Sequence, residues 1–194
     1  MADLLPRNYR KRAQGHNVRP RLSAFRATDA EAVSSWVADD LQALWLAPRT
    51  PPPITPASVR GWRGWNIRQF CIRGDEDGPP VAYGELNTLN MLRGHYWLGH
   101  LVVASDQRGR GLGRLLTESL LERAFGELGA RRVVLVVFPE NLAAIACYRT
   151  CGLRDEATEI HFLPPYRRDA ALLRMAVNVD SWAANRRDPA RART

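Results

Sequence analysis

The segment Val103-Ala104-Ser105-Asp106-Gln107-Arg108-Gly109-Arg110-Gly111-Leu112-Gly113-Arg114 restricts what this chain can become more than any other stretch. An apolar run, Leu101 to Ala104, leads into it. A helical stripe leaves it, with apolar residues at Leu112, Leu115, Leu116, Leu120, Leu121, Ala124, Phe125 and Leu128. The order is therefore strand, glycine-rich loop, helix. A helix start exposes about four unpaired backbone N–H groups and a partial positive charge. Glycines let that backbone turn sharply and approach a ligand. Together these features predict a phosphate site, to which Arg108, Arg110 and Arg114 can add charge-assisted bonds. The P-loop pattern GxxxxGK[ST] is absent, and the sole lysine is Lys11. The dinucleotide pattern GxGxxG fails as well, because Arg114 or Leu116 stands where its last glycine belongs. Taken by itself, the segment also fits a plain strand-to-helix turn.

The surrounding pattern frames this element. Arg21 to Arg26 reads as a strand, Thr28 to Val37 as a capped helix, and Leu41 to Leu46 as a second helical run. Prolines from Pro48 to Pro56 break regular structure before a short helix, Ala57 to Arg63. Asn66 to Arg73 and Val81 to Asn87 form an expected hairpin, followed by a strand from His95 to Ala104. After the long helix, Gly129 is placed to end it, and Val133 to Phe138 suits a fully buried strand. Asn141 caps a further helix that closes at Gly152, and two strands, Leu153 to Leu163 and Ala170 to Val179, complete the chain. The fold class is α+β with a mixed sheet. Its central strand-helix-strand unit is expected to be a right-handed parallel crossover.

Charge and cysteines narrow the partners. Met1 to Arg21 carry six basic residues against Asp3, and Trp182 to Thr194 carry four against Asp188; these ends account for the whole net charge of +8. A nucleic-acid module would hold its positive charge on a folded face, so nucleic acid is disfavoured. The expected organisation is a flexible basic tail over 1–20, one domain over 21–180 and a basic tail over 181–194. No apolar run reaches the ~18 residues of a membrane span, and the N-terminus lacks a secretory pattern, so a cytoplasmic protein without a membrane partner is expected. Cys71, Cys147 and Cys151 contain no CxxC pair, so no disulfide framework or metal site is indicated.

Two motifs carry a resemblance. Arg108-x-x-Gly111-x-Gly113 is similar to the pyrophosphate loop of the GNAT acetyltransferases. Asn141-Leu142-Ala143-Ala144-Ile145-Ala146-Cys147-Tyr148, followed by Gly152-Leu153, resembles the family's next conserved-type segment at the same distance. The likeness is close from Leu101 to Leu153 and looser over the strand order. It implies a GNAT acyltransferase fold with splayed central parallel strands, helices on both faces, and acetyl-CoA as cosubstrate. Leu101, Val102 and Val103 would pair with the pantetheine amides, and residues Arg108, Gly109, Arg110, Gly111, Leu112, Gly113 and Arg114 would hold the pyrophosphate. Asn141 and Ala144 would line the pantetheine arm. Tyr148, which alone on a helix reads as packing, would point at the thioester sulfur as its acid.

The resemblance further implies direct acetyl transfer to a primary amine through a tetrahedral intermediate, with a backbone N–H as oxyanion donor. Relatives that take a base from the first splayed strand do so on the face of Val103. Here the matching positions are Trp97 and Gly99, and His100 falls on the opposite parity of a regular strand. Val136 occupies the position where another group of relatives has a glutamate. Glu85, on the neighbouring strand, is the remaining catalytic candidate, alongside proton loss through water. Trp45, Trp62, Trp65 and Tyr166 either wall an acceptor pocket or pack under the proline-rich loop. A non-catalytic acyl-CoA-binding module is the alternative from another class. The family's frequent dimers leave a homodimer open.

Overall fold

The computed structural model describes residues 20–187, so the expected N-terminal tail lies outside the described residues except for Pro20. The frame is one seven-stranded sheet in the spatial order β1-β2-β3-β4-β5-β7-β6. Its strands are β1 (Arg21–Ala24), β2 (Ile67–Arg73), β3 (Pro80–Asn90), β4 (His95–Val103), β5 (Arg132–Val137), β6 (Arg154–Leu163) and β7 (Arg168–Asn178). The helices are α1 (Ala30–Ser35), α2 (Asp40–Leu46), α3 (Pro56–Gly61), α4 (Leu112–Glu122), α5 (Leu142–Thr150) and α6 (Val179–Arg187). All neighbours pair antiparallel except β4 and β5. That one parallel step needs a long connection, which α4 and a π-helical turn from Arg123 to Glu127 provide.

Helices cover both faces, as the α+β expectation requires. On one face, Leu112, Leu116, Leu120 and Leu121 of α4 bury themselves against Ile72, Leu86, Leu98 and Leu135. Gly84 lets α4 come down onto β3: a Cβ there would stand 3.1 Å from Leu120 and 3.3 Å from Leu116. On the other face, Val33 and Trp36 at α1 and Val59 and Trp62 at α3 pack with Cys71, Tyr83 and Ala104. Arg73 and Asp29 form a fully buried ion pair at its margin, and Arg73 also donates to Ser23 Oγ and to the Gly78 carbonyl, both at 2.9 Å.

The central strands separate. β4 pairs with β5 only through His95, Tyr96 and Trp97, whereas β5 stays paired with β7 as far as Val137. From Leu98 onward the β5-facing edge of β4 has no strand partner, and the predicted splay is present.

One boundary differs from the sequence reading. Residues 181–187, assigned to a basic tail, belong to α6, whose Trp182 ring packs 5.0 Å from that of Phe125. Arg186 lies 3.3 Å from Glu122. A short, highly polar stretch has no helical stripe to read; the docked tryptophan is what fixes it. No helix among the described residues is long and apolar enough to cross a membrane.

Candidate active site

The separation of β4 from β5 opens a cavity of about 1230 Å³ that reaches both faces of the sheet. At one end sits the glycine loop. Gly109 and Gly111 take left-handed backbone conformations, with φ of +72° and +78°, and Gly111 caps the start of α4. A side chain would resist those angles, which is why glycine occupies both positions. Gly113 faces Cys147 and Val103 closely enough that even a Cβ would touch them, at 3.6 and 3.7 Å.

The arginines divide by role. Arg108 lines the cavity while its guanidinium donates to the carbonyls of Val103 and Trp36 and to Gln42, so it clasps the loop to α1 and α2. Arg114 lines the cavity and pairs with Glu118 one turn on, at 2.7 Å. Arg110 is turned away: it donates to Gln107 Oε1 at 3.0 Å and is not part of the lining. The remaining expected cofactor residues, Leu101, Val102, Val103, Gly109, Gly111, Leu112, Gly113, Asn141, Ala144 and Tyr148, all line the cavity.

Helix α5 forms the wall beside the loop. Asn141 Oδ1 accepts from the Ala144 N–H at 3.2 Å, satisfying one of the unpaired donors at the helix start. Tyr148 is half-buried, and its hydroxyl has no hydrogen-bond partner among the described residues. Burial, and then the neighbouring Cys147 and Cys151, push its phenol well above the ordinary range. The hydroxyl is therefore held in its protonated form.

The opposite end is where the sequence reading fails and is corrected. Tyr83 pairs with Val102 but Glu85 pairs with Gly99, so His100 and Leu101 together face Gly84. This is a β-bulge, and His100 sits in it with φ of +48°. The extra residue reverses the alternation of β4. Tyr96 and Leu98 point to the α4 face before the bulge, and Leu101 and Val103 point there after it. Trp97 and Gly99 consequently do not share a face with Val103, and the parity used to set His100 aside does not apply. Instead His100 stacks on Trp62, with ring centroids 4.1 Å apart, and its Nδ1 comes within 2.9 Å of Glu85 Oε1. Strand-interior glycines at Gly84 and Gly99 were the available signal for a bulge.

Glu85 is 1% exposed and borders the cavity. Tyr83 donates to its Oε1 at 2.6 Å, and Gln69 in turn donates to the Tyr83 oxygen at 2.7 Å. The Tyr83 phenol is pushed far up, first by burial and then by the Glu85 charge, so it remains a fixed donor. Glu85 and His100 are thus brought together at the cavity, although the sequence pointed only to Glu85. Of the aromatics, Trp62 and Trp45 line the cavity, and Trp62 Nε1 donates to Thr50 Oγ1 at 3.0 Å. Trp65 does neither job, being 92% exposed. Tyr166 is not in the lining itself but packs against Phe138, Leu163 and Leu172, which are.

Comparison with known proteins agrees with this geometry. A family model described as the acetyltransferase (GNAT) family matches residues 31–153. Over 77 residues, 40% of this chain and 30% of the relative, the chain is 39% identical to the uncharacterized N-acetyltransferase YobR of Bacillus subtilis. Over 126 residues, 65% of this chain and 37% of the relative, it is 30% identical to a mycothiol acetyltransferase of Geodermatophilus obscurus. The matches thus span about a third of the length of these curated relatives. The crystal structure of spermidine N-acetyltransferase from Vibrio cholerae in complex with CoA and spermine superposes with a TM-score of 0.71, covering 86% of this chain and 99% of that one at 18% identity. Aminoglycoside acetyltransferase AAC(6')-Ib in complex with coenzyme A gives a TM-score of 0.65, with coverage of 87% and 99% at 17% identity. At such identities these structures speak for the fold.

Proposed function

The chain belongs to the acetyltransferase (GNAT) family, and from that premise we propose that it moves the acetyl group of acetyl-CoA onto the nitrogen of a primary amine. One observation carries the reading: a single cavity joins the glycine-opened mouth of α4 to Tyr148 and Glu85 through the gap between β4 and β5. The backbone N–H groups from Arg108 to Gly113 bind the pyrophosphate. Arg114 adds charge at that end, and Arg108 braces the loop. The free edge of β4 at Leu101 to Val103 pairs with the pantetheine amides as an added strand does, and Asn141 and Ala144 flank the arm.

Transfer then needs three proton movements, two off the nitrogen and one onto the sulfur. The amine arrives as its ammonium form, and Glu85, aligned by Tyr83 and flanked by His100, accepts one proton. The neutral nitrogen attacks the thioester carbonyl, and a β5-facing N–H of β4 stabilises the oxyanion. Collapse breaks the carbon–sulfur bond, and Tyr148 gives a proton to the leaving thiolate. The tyrosinate regains one from the acetylated nitrogen, which becomes the neutral amide, and Glu85 returns its own to solvent. Because burial makes the phenol a weaker acid than usual, its proton moves as the carbon–sulfur bond breaks rather than before it. The similar proteins include a spermidine, an aminoglycoside and a mycothiol acetyltransferase, whose names span three chemically different acceptors.

Purified full-length chain is incubated with acetyl-CoA and a panel of primary amines while free thiol is followed. Amine-dependent thiol release supports the reading. Saturable acetyl-CoA binding with no amine-dependent release identifies a non-catalytic acyl-CoA-binding module instead. Absence of acetyl-CoA binding by calorimetry refutes both.

A further inference from the structure

We infer that the acceptor is recognised as a single ammonium group on an apolar body, the ammonium seated against Glu85 and Asn87 beneath the bare face of Gly99. The inference rests on the amine-acetylation reading and adds the chemical class of the acceptor.

The seat is built from register. Glu85 pairs with Gly99 and Asn87 with Trp97, so these four residues share one face at the widening of the gap. A Cβ on Gly99 would meet the Asn87 carboxamide nitrogen at 3.1 Å, Glu85 Oε2 at 3.4 Å and the Trp97 ring at 3.6 Å. Those groups therefore converge on the one position where the strand has no side chain. Glu85 Oε2 and Asn87 Oδ1 are buried there, and neither has a hydrogen-bond partner among the described residues. A buried polar atom left unpaired is costly, about 1–3 kcal/mol and more for a charged group. Glu85 Oε1 accepts from Tyr83, and His100 Nδ1 stands 2.9 Å from that oxygen without hydrogen-bond geometry, which leaves Oε2 for a ligand. A half-turn of the Asn87 amide presents its oxygen to the same point. Two oxygen acceptors, one of them anionic, walled by the Trp97 ring and by Trp62 nearby, suit an ammonium donor.

The rest of the acceptor side is poor in places for a second cation. Asp39 is the other carboxylate in the lining, and it is committed to capping α2, accepting from the Gln42 N–H at 2.7 Å and from the Gln42 side chain at 3.0 Å. The remaining charged residues of the lining are Arg49, Arg108 and Arg114, together with His100 and His161. At the cavity border Leu41 and Phe162 stay 53% and 59% exposed, with Trp45 and Leu46 beside them in the lining. Large apolar side chains held open at a cavity border offer surface to an apolar partner.

Hexylamine, phenethylamine and hexamethylenediamine separate head from body, since the diamine matches hexylamine in length and differs by a second cation. With acetyl-CoA saturating, kcat/KM for the two monoamines is expected to exceed that for the diamine by about tenfold or more. Asn87→Leu is expected to raise KM for hexylamine about tenfold with kcat changed less than about twofold, which marks Asn87 as a positioning residue. Acetyl-CoA affinity, measured by calorimetry on the same variant, stays at the parent value and reports an intact fold. Equal or better turnover of the diamine overturns the assignment while leaving amine acetylation standing, as does an unchanged KM in Asn87→Leu. Acetyl-CoA binding without turnover of any of the three overturns it as well. Failure to bind acetyl-CoA removes the acetylation reading itself.

Discussion

Replacing Tyr148 by phenylalanine isolates the proposed proton donor, because the hydroxyl is removed while the ring is kept. The hydroxyl has no hydrogen-bond partner among the described residues, so its removal breaks no native bond. The ring stays packed against the α4 core. A change of that kind is expected to alter stability by no more than about 0.5 kcal/mol. In the proposed binding mode the backbone of the loop and of β4 holds acetyl-CoA, and the substitution does not touch it, so the dissociation constant should stay within about twofold. Turnover is different. Without the phenol the thiolate leaves unprotonated, and loss of a positioned acid costs about 10²–10⁴-fold in kcat, or roughly 3–5 kcal/mol of transition-state stabilisation. The assay is initial-rate thiol release at saturating acetyl-CoA and amine, paired with calorimetric binding of acetyl-CoA. Because burial holds the phenol protonated throughout, the parent's rate should show no alkaline fall attributable to Tyr148 below about pH 10. A Tyr148→Phe variant that turns over within threefold of the parent would refute the assignment.

Three further outcomes follow from the same geometry. Gly111→Ala forces a side chain into φ +78° at the helix start; about 1–2 kcal/mol of strain should lower Tm by roughly 2–8 °C and weaken acetyl-CoA binding, read by thermal melting and calorimetry. Asp29→Ala leaves the buried Arg73 guanidinium without its counter-charge, and chemical denaturation should show a loss of about 3–5 kcal/mol while acetyl-CoA affinity in the folded fraction is unchanged. Burial, and then the Asp29 carboxylate, hold the Cys71 thiol protonated in the fold, whereas the unfolded thiol ionises near ~8.5. The unfolded state then binds fewer protons than the native one above that pH, so stability falls as pH rises. Cys71→Ala should remove up to about 1.4 kcal/mol per pH unit of that slope, seen by denaturation at pH 9 and 10.

Much of the scaffold was legible in residue order. The glycines at 109, 111 and 113 and the leucine stripe after them fixed a loop opening into a helix, because positive φ and a 3.6-residue period are local properties. Asn141 announced its cap for the same reason. The valine run at β5 marked a buried parallel strand, and the resemblance carried Tyr148 to the cavity wall. The acceptor end was not legible. A bulge is a relation between two strands, and nothing within β4 alone says that His100 must turn onto Glu85. The period-two argument assumed unbroken register, and the register breaks opposite Gly84.

The arginines divide along the same line. Their side chains are long, so sequence could say that positive charge lay near the loop but not where each guanidinium goes. Only packing decided that Arg108 clasps α1 and α2, that Arg114 stays at the cavity and that Arg110 turns to Gln107. Sequence by itself therefore determined what depends on neighbours along the chain: most element types, the Asn141 cap, the glycine-opened start of α4 and the family. The capping box expected at Thr28, by contrast, is replaced by a 3-10 turn, Ala27–Asp29, with Asp29 bonded to the Arg26 N–H. Tertiary structure decided what depends on strands meeting across the sheet, namely the opening between β4 and β5, the phase of β4 after its bulge and the convergence of Glu85, Asn87, Gly99 and His100. Those relations are set by the summed packing of distant segments, a quantity no local window contains.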